Sequence, residues 1–307
     1  MKVFTLMTAL PPTKGHANLM RFVRDIAQQN CGMGIVILNT QPEEPYAFER
    51  AKAIRSVAGN FAHNMRVVHI HRSMPQSPEE FDSAKWDSWA SLRNYANFWD
   101  MWLQVLQAEG FLAGDTLVAS EDYGIELSKY IGANFIPYDK PRSLLFTKAT
   151  HVREDPQGLF EDMAPEFQSI MRRRVTMFGA ESVGKTTLAG QLGYNWGAQF
   201  IPEYARPMLE MVGPELTRQK MMNIWQGQLA YQQQADSLAK ARLVIVQDTD
   251  LFSTIGYWAM HPELGRVPYR LVADAKIMQS DLYLIPQDNI EFEPDALRYG
   301  GHQREAD

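Results

Sequence analysis

The sequence predicts an α/β protein built from two parallel-sheet units in tandem, and three observations carry that expectation. Short apolar runs alternate with longer amphipathic stretches along the chain, the pattern of repeated βαβ units. The alternation runs through two cycles, the second starting near Arg174. The chain has 307 residues, beyond the length at which a single core usually stops growing.

In the first cycle, strands are expected at Val3–Thr8, Gly34–Leu38, Arg66–Ile70, Thr116–Ala119 and Asn134–Pro137. Helices are expected at His16–Gln29, Ala47–Val57 and Trp86–Gln107, where apolar residues recur at steps of three and four. In the second cycle the strands are Val175–Phe178, Gln199–Pro202, Leu243–Gln247 and Asp281–Ile285, with helices at Lys185–Asn195 and Arg218–Ala241. The join is expected within Glu154–Arg172, where the turn Pro156-Gln157-Gly158 precedes a short helical stretch. Domains are therefore drawn at 1–155 and 172–307.

Composition narrows the function classes. Apolar residues make up 45% of the chain and charged residues 21%, with seven Trp and fifteen Phe to fill two cores. A net charge of -6 argues against a surface that coats nucleic acid, although a local basic pocket can still hold phosphates. The one cysteine, Cys31, cannot form an internal disulfide, which suits a reducing, cytoplasmic location. Met1–Leu10 faintly resembles a signal peptide, but it leads into Pro11-Pro12-Thr13-Lys14-Gly15-His16, which reads as a functional turn. No apolar run reaches the length of a membrane span.

The strongest motif is Gly179-Ala180-Glu181-Ser182-Val183-Gly184-Lys185-Thr186, which fits the P-loop pattern between an expected strand and an expected helix. Its glycines let successive backbone N–H groups converge on phosphate oxygens, and the helix N-terminus adds partial positive charge. ATP phosphates are accordingly expected on Gly179, Glu181, Ser182, Gly184, Lys185, Thr186 and Thr187. Lys185 neutralises the β- and γ-phosphates, and Thr186 holds Mg²⁺.

Downstream, Leu243–Asp250 puts Asp248 and Asp250 at the end of a buried strand, where carboxylates supporting Mg²⁺ are needed; helix capping is the alternative use for either. Glu203 follows the second strand and can accept a hydroxyl proton, or else pair with Arg206 at the surface. Arg298 and Arg304 flank Gly300-Gly301, which suits a lid over the transferring phosphoryl group or, equally, a solvated tail.

A second phosphate site is expected at Thr13-Lys14-Gly15-His16, a small glycine turn between the first strand and helix. Thr13 and Gly15 admit phosphates and His16 contacts them. Thr147–Arg153 supplies Thr150 and Arg153 as hydroxyl and guanidinium donors at the other end of the domain. A site of Thr, His, Lys and Arg without an evident carboxylate pair suits adenylyl transfer to a phosphate, a nucleophile that is already anionic. Phe98-Trp99-Asp100-Met101-Trp102 has the composition to receive a pyridinium ring, although aromatics at that spacing are more often core.

Together, the T-x-G-H turn, the late Thr-x-Val-Arg element and the C-terminal P-loop resemble the bifunctional NadR-type proteins. The likeness also takes in Ser120-Glu121-Asp122-Tyr123-Gly124, Tyr138-Asp139 and Arg142, then Glu203-Tyr204-Ala205-Arg206 and Asp295-Ala296-Leu297-Arg298. It departs from the family pattern at Met7 and Thr8, where a Gly usually precedes the turn, and at Lys148, where a Ser is usual.

The resemblance implies a Rossmann-like nucleotidyltransferase domain followed by a P-loop kinase domain. It further implies an NAD salvage enzyme that phosphorylates ribosylnicotinamide and then joins nicotinamide mononucleotide to AMP from ATP. ATP and Mg²⁺ are the implied co-substrate and cofactor. The partners are small molecules, with no nucleic acid or membrane, and a homo-oligomer is left open. No helix-turn-helix precedes the first strand, so a DNA-binding role is not implied. The chain ends at Asp307, soon after the lid arginines, so a kinase domain incomplete at its C-terminus is expected. Two alternatives stand beside this reading: a different T-x-G-H nucleotidyltransferase fused to another small-molecule kinase, and a non-catalytic sensor of ATP or NAD.

Overall fold

The computed structural model describes residues 1–60, 64–81, 95–239 and 242–287. The chain divides into two compact units, Met1–Ile170 and Met171–Asp307.

The first unit carries a parallel sheet of β1 (Lys2–Met7), β2 (Met33–Thr40), β3 (Met65–His71), β4 (Thr116–Ala119) and β5 (Asn134–Pro137), in the order β3-β2-β1-β4-β5. β1 and β2 are buried over nearly their whole length, as expected of strands covered on both faces. Period-two alternation sends Val36 and Leu38 into one core and Ile35 and Ile37 into the other. Helix α1 (Lys14–Gln29) lays Met20, Val23 and Ala27 on the first of these cores, at steps of three and four. Helix α2 (Ala47–Gly59) adds Ala51 and Ile54 to that core. On the opposite face, α3 (Phe98–Ala108) contributes Met101, Trp102 and Val105.

The strand order reverses direction between β1 and β4. A crevice therefore opens at their carboxyl ends, the usual ligand position in a Rossmann-like sheet.

The stretch expected to be the join packs into the first unit. Ala164 N–H donates to the Pro12 carbonyl at 2.9 Å, Thr13 bridges Met163, and Phe160 and Phe167 are buried. Helix α4 (Tyr123–Ile131), the short α5 (Ala149–Glu154) and α6 (Pro165–Met171) complete the region.

The second unit is a parallel sheet of β6 (Arg173–Met177), β7 (Gln199–Ile201), β8 (Val244–Gln247) and β9 (Leu282–Leu284), ordered β7-β8-β6-β9. Helix α7 (Lys185–Asn195) follows β6, and α8 (Ala205–Val212) and α9 (Arg218–Leu238) lie between β7 and β8. After β8 come α10 (Leu251–Met260) and α11 (Tyr269–Ile277), which pack with α9 around the buried Trp225, Trp258 and Leu271.

Helices α4, α8, α10 and α11 are additions to the elements expected from periodicity. They run eight to ten residues, too few turns for an amphipathic period to stand out. The expected helix Trp86–Gln107 begins only at Phe98 among the described residues. Asn97 caps it by accepting the Asp100 N–H at 3.0 Å, and residues 86–94 lie outside the described set. No described helix is long and apolar enough to cross a membrane.

Candidate functional site

In the second unit the loop between β6 and α7 takes left-handed backbone at Gly179, Ser182 and Gly184, with φ of 127°, 61° and 81°. Those turns gather the loop's N–H groups at the start of α7, while Val183 anchors the loop in the interior. Lys185 Nζ donates to the carbonyls of Gly179 and Ala180 at 2.8 and 2.5 Å, so its ammonium is held inside the loop's concavity. Thr186 Oγ1 donates to Asp248 Oδ2 at 2.7 Å, which joins the helix start to the carboxyl end of β8.

Beside this loop lies a cavity of about 190 Å³. Glu203, Arg206, Asp248 and Gln228 line its polar side, and Leu209, Leu216, Met221 and Ile224 its apolar side. Gly179, Glu181, Ser182, Gly184, Thr186 and Thr187 all border the same cavity. Burial raises the Glu203 carboxyl above the usual range, and the charge of Asp248 adds to the rise against the opposing pull of Arg206 and Lys185. Burial likewise raises Asp248, opposed by its bond from Thr186 and by Lys185. Glu203 faces the cavity, where Arg206 also bears on its charge.

Asp250 takes up the helix-capping use that was its alternative. Its Oδ1 accepts the N–H groups of Phe252 and Ser253 at 2.9 and 3.2 Å, capping α10. Its Oδ2 accepts the Tyr283 hydroxyl at 2.6 Å. With both oxygens engaged and no share in the cavity lining, Asp250 supports the helix, and Asp248 alone faces Thr186. Periodicity cannot separate these two carboxylates, which lie two residues apart. Arg298 and Arg304 lie outside the described residues.

Reasoning from the sequence missed Tyr257, whose hydroxyl donates to Glu181 Oε1 at 3.2 Å, and Gln228. Both come from helices distant in sequence, and neither belongs to a motif.

In the first unit a cavity of about 450 Å³ opens at the carboxyl ends of β1 and β4. It brings together Thr13, Gly15, His16, Lys148, Thr150 and Arg153. Two segments 130 residues apart thus share one site, as the motif pair suggested. His16 Nδ1 accepts the Thr13 N–H at 3.1 Å and lies 2.8 Å from Thr13 Oγ1, so Nε2 is the ring nitrogen left to donate. Burial, then the positive charges of Arg142 and Arg50, push the His16 pKa down to about 4. The ring is therefore a neutral donor at physiological pH. Arg153 Nη1 donates to the Leu10 carbonyl and Nη2 to Thr150 Oγ1 at 3.2 Å, tying α5 to the turn after β1.

Two carboxylates also line this cavity, Glu121 and Asp139, both from segments named in the resemblance. Both are already partnered. Asp139 accepts N–H bonds from Ser143 and Leu144 at 2.8 and 3.1 Å, which keep it ionised below the usual range. Glu121 accepts from Arg142 at 3.2 Å.

Arg50 carries no motif. From α2, fully buried, it donates to the Ala9 carbonyl at 3.0 Å and to the Thr8 carbonyl, and pairs with Glu44 at 2.9 Å. It holds the departure of the chain from β1 toward the Thr13 turn. Phe98 and Trp102 belong to a core cluster, Trp99 packs against it, and all three also border the cavity.

Residues 174–307 match the family described as an AAA domain. The trifunctional NAD biosynthesis/regulator protein NadR of Escherichia coli (strain K12) is 25% identical over 213 residues, covering 66% of this chain and 51% of the relative. The protein of that name from Salmonella typhimurium (strain LT2) is 24% identical over 211 residues, with the same coverage. The chain spans about half the length of these curated relatives.

A crystal structure of NadR protein in complex with NR matches with a TM-score of 0.56 and 21% identity over 92% of this chain and 78% of that one. A second, in complex with NAD and AMP-PNP, gives 0.56 and 21% over 92% and 80%. The protein is thus an α/β chain of two parallel sheets, similar in its C-terminal part to AAA domains and in fold to the NadR structures.

Proposed function

We propose that this protein is an NAD salvage enzyme with two activities. In this reading the second unit phosphorylates ribosylnicotinamide with ATP, and the first joins nicotinamide mononucleotide to AMP from ATP, releasing pyrophosphate. The observation that carries the reading is the pair of separate phosphate-type sites, each at the carboxyl edge of its own parallel sheet and each with different chemistry. The named relatives, and the solved NadR complexes with NR, NAD and AMP-PNP, support the same choice of ligands.

In the second unit, Lys185 and the loop amides bind and orient the phosphates, and Glu203 accepts the proton of the attacking hydroxyl. The Thr186 hydroxyl and Asp248 carboxylate are hard oxygen donors in mutual contact, and they fit Mg²⁺. A Mg²⁺ ion held by Thr186 and Asp248 would supply charge neutralisation for the transferring phosphoryl group. Among the described residues, no group of three or more His, Cys, Asp and Glu side chains could hold a metal.

In the first unit the nucleophile is an anionic phosphate, and no base is required. Neutral His16, Thr150 and Lys148 donate to the triphosphate, and positioning together with charge stabilisation carries the step. Phe98, Trp99 and Trp102 offer aromatic faces to a pyridinium ring.

One assay tests the whole reading: NAD formation from ATP plus either ribosylnicotinamide or its mononucleotide. NAD from both is expected. NAD from the mononucleotide alone leaves only the first activity, and none from either favours the sensor alternative.

A further inference from the structure

Gln228 lies buried on α9, with its carboxamide shared between two loops. Its Oε1 accepts the Tyr204 N–H at 2.9 Å, and its Nε2 donates to the Thr249 carbonyl at 3.3 Å. Tyr204 directly follows Glu203, and Thr249 directly follows Asp248. The two loops leave adjacent strands, since β7 and β8 pair in parallel with Ile201 opposite Gln247. One side chain thus ties down the residues next to two of the cavity carboxylates, Glu203 and Asp248. The carboxamide brings an acceptor and a donor together; ionised Glu offers acceptors only, and Met has no donor and only a weak sulfur acceptor.

The helix surface around Gln228 is shaped to the same loop. A Cβ on Gly227 would lie 2.2 Å from the Tyr204 ring, so the ring rests directly on the helix backbone. Tyr231, one turn on, meets that ring edge-on with centroids 5.2 Å apart. Three successive contacts on α9 therefore hold the turn that presents Glu203.

We propose that Gln228 is a positioning residue for phosphoryl transfer, tying the turn that carries Glu203 to the turn that carries Asp248 and so keeping the proton acceptor aligned with the phosphate site. The proposal rests on the kinase reading of the second unit. The groups that bear on Glu203 are Asp248, Arg206, Lys185 and Glu181. Any slackening between the two loops alters how strongly Asp248 opposes ionisation of Glu203.

The test uses the full chain with Gln228→Met and Gln228→Glu. It reads hydrogen exchange at the Tyr204 amide, kinase kcat and KM for ATP, and the pH profile of kcat/KM. Gln228→Met should release the Tyr204 amide to fast exchange and lower kcat by about tenfold to a hundredfold, with KM for ATP little changed, as expected when a reacting group is displaced. Gln228→Glu keeps the acceptor for Tyr204 but adds negative charge. Its Tyr204 amide should stay protected while the acid limb of the profile moves to higher pH.

Normal kcat with a protected Tyr204 amide in Gln228→Met overturns the proposal. So does a loss of kcat matched by equal losses of ATP affinity and melting temperature. Should Gln228→Met fail to fold, an unmoved acid limb in Gln228→Glu overturns it. If the wild-type chain transfers no phosphate to ribosylnicotinamide, the kinase reading fails separately. The Tyr204 exchange then still decides whether Gln228 ties the loops.

Discussion

The two units place titratable groups in opposite electrostatic settings. In the first, burial and two neighbouring arginines drive His16 toward its neutral form. The carboxylates lining that cavity are already engaged, Asp139 by backbone N–H groups and Glu121 by Arg142. In the second, burial pushes both Glu203 and Asp248 toward holding a proton, and the charge of Asp248 adds to the rise at Glu203. The same sheet edge thus makes a donor-rich site in one unit and a site with an available acceptor in the other. The contrast matches the two nucleophiles of the proposed reactions, an anionic phosphate and a neutral hydroxyl.

The largest expected effect separates the sites outright. Lys185→Ala should abolish phosphorylation of ribosylnicotinamide and leave adenylyl transfer from the mononucleotide nearly intact. Measured side by side, equal loss of both activities would point to one shared site and break the comparison.

Glu203→Gln comes next. It keeps size and hydrogen bonding but removes basicity, so kinase turnover should fall by about 10²–10⁴ with ATP binding little changed. Near-normal turnover in this variant would remove the acceptor from the second site and the contrast with it. Because Glu203 must be ionised to act and its pKa is raised, wild-type kinase kcat/KM should decline on the acid side at a pH above the ordinary glutamate range.

His16→Ala should lower adenylyl transfer by about 10²–10³, the usual effect of losing one oriented donor, with the melting temperature nearly unchanged. A collapse of stability alongside activity would make His16 a structural cap. The sign of its shift adds a further check. With a pKa of about 4, His16 stays neutral as pH falls through the range where histidine ordinarily charges, so it contributes no acid limb to adenylyl transfer between about pH 5 and 8. A limb near the ordinary histidine value that vanishes in His16→Ala would reverse that assignment.

The smallest effect is expected at Asp250. Asparagine caps helices about as well as aspartate, so Asp250→Asn should change kinase turnover by less than about tenfold, against a far greater loss for Asp248→Asn. Comparable losses in the two variants would return Asp250 to the metal site.

The sequence by itself determined the two sheets, because their strands are short apolar runs whose period survives without context. Thr116–Ala119 and Asn134–Pro137 have the boundaries that periodicity indicates, as does the helix Lys185–Asn195 behind its glycine loop. It also marked Thr13, His16, Thr150 and Arg153 as partners, since each half of that constellation is a local pattern. Tertiary structure decided the rest. Asp248 and Asp250 are equivalent on paper, and only the start of α10 and the Tyr283 hydroxyl assign one to a cap. The join expected within Glu154–Arg172 is seen to belong to the first unit only once Phe160, Ala164 and Phe167 are found buried there. Arg50 and Gln228 bear on their sites through backbone groups of segments far along the chain, and a hydrogen bond to a backbone carbonyl or N–H leaves no trace in the partner's side-chain identity.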